Sequence, residues 1–167
     1  LISAERGYAA TECALQVVAA LRAAGLRVGG YHQHKWRNER GEKRYDLVHL
    51  SSGERVVLAV DGVAPKGPGE ELFCSMSMHD SGFESARRWV AADAPGSDVL
   101  LLDGISKLEI SGKGHAATLE SVLVEGGPVL LLCTRASQLS GVLERFALPD
   151  DGLVAALELP ASADDTR

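Results

Sequence analysis

The sequence predicts an α/β fold, a three-layer sandwich with helices on both faces of a mainly parallel sheet, and three observations predict it. Asp98 leads into Val99-Leu100-Leu101-Leu102, a run apolar at every position and stopped by Asp103, and Val129–Cys133 is a second such run. Strands apolar at successive positions are buried on both faces, as in a sheet covered by helices. Amphipathic segments alternate with these strands along the chain, the order expected of an α/β sandwich. Three strand candidates between about residues 27 and 60, joined by short turns, add an inserted antiparallel β-meander.

In chain order, Leu1-Ile2-Ser3 reads as the tail of a first strand, so the natural chain is expected to begin a few residues earlier. Ala4–Ala10 reads as a loop containing Gly7, after which Thr11 caps a helix over Glu12–Ala24. Leu15, Val17, Val18 and Leu21 form its buried stripe, and Gly25 closes it. The meander strands are Arg27–Trp36, Arg44–Leu50 and Glu54–Val60, with Asn38 and Gly41 in the first turn and Ser51-Ser52-Gly53 in the second. Asp61–Leu72 reads as loop because it holds Pro65, Pro68 and three glycines. Ser81 and Glu84 have the spacing of a capping box, opening a helix to about Ala92. After the Asp98–Asp103 strand comes a helix from His115 to Val124, stopped by Gly126-Gly127. Ser137 caps a last helix whose Leu139, Val142, Leu143 and Phe146 recur at helical spacing, and Leu153–Leu159 is a final strand. A single domain over residues 1–159 and a flexible tail over 160–167 are expected.

Composition narrows the function classes. The chain has 167 residues, enough for one full core, and its 46% hydrophobic and 24% charged residues argue against global disorder. A net charge of −6 argues against a nucleic-acid-binding face. The basic cluster Lys35–Arg44 is interleaved with Glu39 and Glu42, as on a solvated hairpin tip. No apolar run approaches the roughly 18 residues of a membrane span, and no signal peptide is visible. Cys13, Cys74 and Cys133 are widely spaced and odd in number, which fits free thiols in the cytoplasm better than a disulfide framework.

Two stretches are candidate sites. Ligands of parallel sheets sit beyond the carboxyl ends of the strands, where Asp103 falls. A phosphate loop would occupy Ala4–Thr11, but that stretch has one glycine, Gly7, and no lysine. Glu12 stands where a phosphate-binding lysine is expected, and a carboxylate there repels triphosphate. The second stretch is Ser111-Gly112-Lys113-Gly114-His115, which reads either as a small anion nest at a helix start or as a common turn. His115 would add charge near neutral pH, and Arg135, after the Val129–Cys133 strand, faces the same edge. Cys74 and His79 are five apart, and His32 and His34 share one face of a strand with possible ligand geometry. No Cys-x-x-Cys or His-Glu-x-x-His accompanies them, so a zinc site is not expected.

The order of parts resembles the P-loop nucleoside triphosphatases of the thermophilic and human cancer-related type. The residues carrying the resemblance are Gly25-Leu26-Arg27-Val28-Gly29-Gly30-Tyr31 after the first helix and Asp46–Gly53 in the meander. The acidic strand Leu101–Glu109 is similar to the family's Val-Ile-Asp-Glu-Ile-Gly-Lys-Met-Glu. The likeness covers residues 1–147 and is closer still to a bacterial branch with a degenerate phosphate loop, on the run Lys107–Gly114. It implies a P-loop-NTPase-like fold, with Asp103 holding Mg²⁺ through water and Lys107 and Glu109 as catalytic candidates. It puts Glu12 at the lysine position, Cys13 at the Mg²⁺-ligating hydroxyl, and Gly104 in place of the glutamate that polarises water. With Gly7, Thr11, Gly112, Lys113, Gly114, His115 and Arg135 as further ligand-binding candidates, the expected function is a degenerate module that binds a nucleotide or small anion, or regulates a partner. Slow Mg²⁺-dependent hydrolysis of nucleoside triphosphates is the alternative, and a homo-oligomeric scaffold through the meander is a third.

Overall fold

The structure, a computed structural model, describes residues 1–5, 7–148 and the backbone of 157–159. The expected tail 160–167 and the first part of the expected strand Leu153–Leu159 lie outside the described residues. The elements in order are β1 (Ile2–Ala4), α1 (Gly7–Ala23), β2 (Val28–Arg37), β3 (Lys43–His49), β4 (Arg55–Asp61), β5 (Glu70–Phe73) and β6 (Met76–His79). They continue with α2 (Asp80–Asp93), β7 (Val99–Asp103), α3 (Lys107–Ile110), α4 (Ala116–Glu125), β8 (Val129–Arg135), α5 (Leu139–Arg145) and β9 (Leu157–Leu159).

All the strands join one sheet, in the order β5-β6-β4-β3-β2-β7-β8-β1-β9. From β2 to β9 every pairing is parallel, and from β2 to β5 every pairing is antiparallel. β2 belongs to both halves: Val28–Tyr31 pairs with Val99–Leu102 of β7, and Tyr31–Arg37 runs against β3. The central strand β7 is buried along its whole length. Leu100 and Leu102 enter a core shared with Trp89 and Val90 of α2, Leu119 of α4 and Val142 of α5. Val99 and Leu101 enter a separate core with Ala10, Ala14 and Val18 of α1. The alternation is the two-residue period of a strand resolved into two covered faces.

Four local expectations change. Helix α1 starts at Gly7, not after Thr11, because Ala9 and Ala10 are strong helix formers and Ala10, fully buried, lets the first turn lie on the sheet. The segment read as loop over Asp61–Leu72 ends in β5, which pairs with β6 as a hairpin that extends the antiparallel half beyond residue 60. The capping box at Ser81 is not formed, since α2 begins at Asp80 with His79 as its N-cap. Ser137 sits in a short 3₁₀ turn, and α5 begins two residues later with Val142 and Phe146 buried as its periodicity predicts.

The two halves are clamped by Asp93 at the end of α2. Its Oδ2 accepts the Gly30 N–H at 2.8 Å and the Ser51 hydroxyl at 2.9 Å, and lies 3.0 Å from His49 Nε2. The His49 ring stacks on Trp89 at 4.9 Å. Gly30 has φ +93°, and a Cβ there would fall 3.0 Å from the backbone C and N of Leu101, so only glycine lets β2 pass β7 this closely. Gly30→Ala should therefore cost on the order of 3 kcal/mol. Gly53→Ala, also at positive φ but facing open space, should cost only about 1 kcal/mol. Urea unfolding of both variants checks this, and equal losses would show that crowding at Leu101 contributes nothing.

Candidate functional site

The parallel strands β1, β2, β7 and β8 deliver their carboxyl ends to one cleft of about 1040 Å³. Its base is the pair Thr11 and Asp103. Thr11 Oγ1 donates to Asp103 Oδ2 at 2.7 Å, and the Gln33 N–H donates to the same oxygen at 2.8 Å. Burial pushes the Asp103 carboxyl up to about 6, opposed by the donors Gln33 N–H, Thr11 O–H, Cys133 S–H and Gly104 N–H. Thr11 is thus neither a cap nor a loop residue. It sits one turn inside α1, where its hydroxyl reaches the acid of β7.

This pairing resets the correspondence with the phosphate-loop pattern Gly-x-x-x-x-Gly-Lys-Ser/Thr. With Thr11 as its final hydroxyl, Ala4 and Ala9 take the glycine positions and Ala10 the lysine position. Ala10 is fully buried. The positions given to Glu12 and Cys13 are corrected accordingly: Glu12 is an exposed residue at the cleft edge, and Cys13 packs beside the core of α1. Gly7 begins the helix beside the Arg135 side chain, since a Cβ on Gly7 would lie 3.9 Å from Arg135 Cγ and Nε. Arg135 is exposed and lines the cleft with Lys35 and Lys107. Lys35 Nζ lies 5.5 Å from the Tyr8 ring centroid, across the mouth.

Glu109 is placed at the cleft but is already engaged. The Ser106 and His115 N–H groups donate to its two carboxylate oxygens at 2.9 and 3.1 Å, making it the capping acid of α3. Burial raises it to about 7. The anion nest expected at Ser111–Gly114 is not formed, because the N–H groups of Ser111, Gly112 and Lys113 bond to carbonyls of Lys107, Leu108 and Glu109. Lys113 pairs with Glu71, and Gly112, Lys113 and Gly114 line a separate cavity of about 300 Å³. His115 does line the main cleft, yet it is 1% exposed and burial lowers it to about 3. It is neutral where the sequence suggested a charge.

Gln33 and Tyr45 are not among the candidate site residues of the sequence, and Lys35 reads there as part of a solvated hairpin tip, although all three line the cleft. The available signal was topological: a strand that pairs on past the end of its parallel neighbour must carry side chains over that neighbour's carboxyl end. Asp103 and Thr11 offer Mg²⁺ hard oxygen donors, one carboxylate and one hydroxyl 2.7 Å apart. That set suits a water-rich ion arriving with phosphate oxygens. Among the described residues no group of three His, Cys, Asp or Glu side chains makes a dedicated metal cage, and none of the helices is long and apolar enough to cross a membrane.

A helix–sheet–helix sandwich with an acid at the end of its central parallel strand, facing a hydroxyl on the first helix, is the arrangement of the P-loop NTPase class. A family model described as NTPase matches residues 1–159, and the chain belongs to that family. The fold is similar to the solution structure of a human cancer-related nucleoside triphosphatase, with a TM-score of 0.67 at 18% identity over 98% of this chain and 88% of that one. No curated protein matches. The protein is therefore NTPase-like and of the nucleotide-binding class.

The buried groups make a test by pH. Asp103 holds its proton more tightly folded than unfolded, so the cost of ionising it is absent below about pH 4 and grows until pH 6. His115 works the other way: its folded value lies below the ordinary one, so its neutral burial is harmless above about pH 6.5 and costs stability below it. Glu109, also raised by burial, adds to the Asp103 loss as pH rises while His115 opposes both, and a variant at Asp103 separates its share. Asp103→Asn should gain roughly 2 kcal/mol relative to wild type between pH 4.5 and 7.5. Urea unfolding at the two pH values reads this, and a constant gap would show that the carboxyl is not held protonated.

Proposed function

We propose that this chain is a degenerate NTPase-like module that holds the phosphate of a nucleotide, or another small oxyanion, without efficient hydrolysis. The observation that carries the reading is the cleft base: the Thr11–Asp103 pair is present, but the lysine position is a buried alanine and the position after Asp103 is Gly104. Phosphoryl transfer depends on positioning and charge compensation, so loss of the gripping lysine weakens the hold on phosphate and, together with loss of the polarising acid, removes rate. The first turn of α1 lies where a phosphate loop would wrap its ligand. Its early N–H groups and helix dipole still favour an anion.

Charge supports a ligand smaller or better neutralised than a free triphosphate. Among the described residues the cleft holds five acids (Glu5, Glu12, Asp61, Asp103 and Glu109) against Lys35, Lys107 and Arg135. Mg²⁺, if used, would sit by Asp103 and Thr11 and supply charge compensation to phosphate oxygens. Glu109 acts in this reading by fixing α3, and Lys107 by offering charge. The three free thiols suit the cytoplasm. The slow Mg²⁺-dependent triphosphatase is the second reading, favoured by the exposed Arg135 guanidinium beside the α1 N-terminus.

Phosphate release from ATP and GTP with Mg²⁺ should not exceed that of Asp103→Ala. Calorimetry should show anion or nucleotide binding that weakens about tenfold in Arg135→Ala, the loss of one charge-assisted contact. Rapid metal-dependent turnover abolished by Asp103→Ala would establish the triphosphatase instead.

A further inference from the structure

The side chain that fills the place next to Asp103 comes from another strand. Gly104 has φ +92°, and a Cβ built on it would lie 2.6 Å from Gln33 Cδ and inside the envelope of Gln33 Nε2. The volume that a side chain at position 104 would enter is thus taken by the Gln33 carboxamide. The main chain beneath is fixed twice, by the Gln33 N–H on Asp103 Oδ2 at 2.8 Å and by the antiparallel register that sets Gln33 opposite Leu47. Gln33 is half-buried and lines the cleft. Its carboxamide makes no hydrogen bond among the described residues, so a donor and an acceptor are left facing the cavity.

We propose that Gln33 is a ligand-binding residue that donates its amide N–H to an oxygen of an oxyanion seated over Thr11 and Asp103. This deepens the function proposed above and rests on its anion-binding reading. The chemistry distinguishes the two residue types at this place. A carboxylate there accepts a proton from water and repels a phosphoryl oxygen, whereas a carboxamide takes no proton at neutral pH and donates to that oxygen. The exchange of an acid on β7 for an amide on β2 turns a place that would promote water attack into one that holds the anion. Arg135 and Lys35 reach the same cleft and bring the charge that an amide lacks. The shared ligand chemistry is a tetrahedral oxyanion, either free or as the terminal phosphoryl group of a nucleotide.

The test uses the full chain and three probes, inorganic phosphate, ADP and ATP, each with and without Mg²⁺. Affinities are read by calorimetry for the wild type, Gln33→Glu and Gln33→Met, which keeps the length of the side chain without its amide. The expected result is tenfold or greater weakening in Gln33→Met and a larger loss in Gln33→Glu, with melting temperatures of the free variants close to wild type. A second measurement needs no variant to bind: the Gln33 side-chain amide resonances should shift when the bound probe is added to ¹⁵N-labelled protein. Binding of phosphate identifies a free oxyanion as sufficient, and binding of nucleotides alone identifies the terminal phosphoryl group, each supporting the proposal when the Gln33 variants lose it. Wild-type binding that both variants retain, with unmoved amide resonances, would overturn the role of Gln33 while leaving the anion-binding function intact. A wild type that binds none of the probes would overturn that function and this role with it.

Discussion

The Asp103 carboxylate is the point through which the parallel half of the molecule is aligned. One oxygen accepts hydrogen bonds from Thr11 of α1 and from the backbone of Gln33 in β2. A carboxylate removed from water needs such partners, since an unpaired one is strongly disfavoured in an apolar interior. Satisfying it fixes how far α1 can slide along the sheet, where β2 turns away from β7, and why residue 104 adopts a conformation suited to glycine. The same contacts define the base of the cleft, so stability and site geometry share a single cause.

Asp93 plays a matching part at the opposite ends of the strands. It gathers Gly30 of β2 with His49 and Ser51 at the end of β3, and through α2 it couples the antiparallel half to the parallel one. The long strand β2 is held between these two acids, by its Gly30 and Gln33 N–H groups. Its far portion carries Gln33 and Lys35 over the cleft.

The parts legible in the sequence are those set by burial alone. The apolar run of β7 is a doubly covered strand, as its pattern implies, and the spacing of Val142 and Phe146 marked α5. The equally apolar run of β8 also forms a strand, but Val129 is exposed and Leu130 and Leu131 are half-buried, so apolarity overstated its cover. The hairpin of β5 and β6 was hidden because Glu70, Glu71 and Leu72 show no alternation and follow a stretch rich in proline and glycine. Helix α3 was announced by Ser106 and Glu109 at capping-box spacing, a signal masked by the apparent loop after it. At the site, Asp103 and Arg135 were placed by topology. Thr11 is a ligand-binding candidate in the sequence but reads there as a helix cap. Its bond to Asp103 was not legible, because it depends on where α1 meets the sheet, and that follows from small residues packing against β8 instead of from a local motif. The nest at Gly112–Gly114 failed for a related reason: backbone donors identified by composition were spent on neighbouring carbonyls.

The position of β1 in the sheet has a consequence for how the chain assembles. Ile2 pairs with Cys133 of β8 and with Leu157 of β9, so the first strand meets partners made long after it along the chain. Closing so long a loop is slow, because the entropy is lost before any contact repays it. During synthesis at roughly 5–20 residues per second, the meander and α2 can form while the first helix still waits for its sheet. Nascent chains would therefore carry the apolar face of α1 uncovered for several seconds, until β7 and β8 are made, and the cleft cannot close before then.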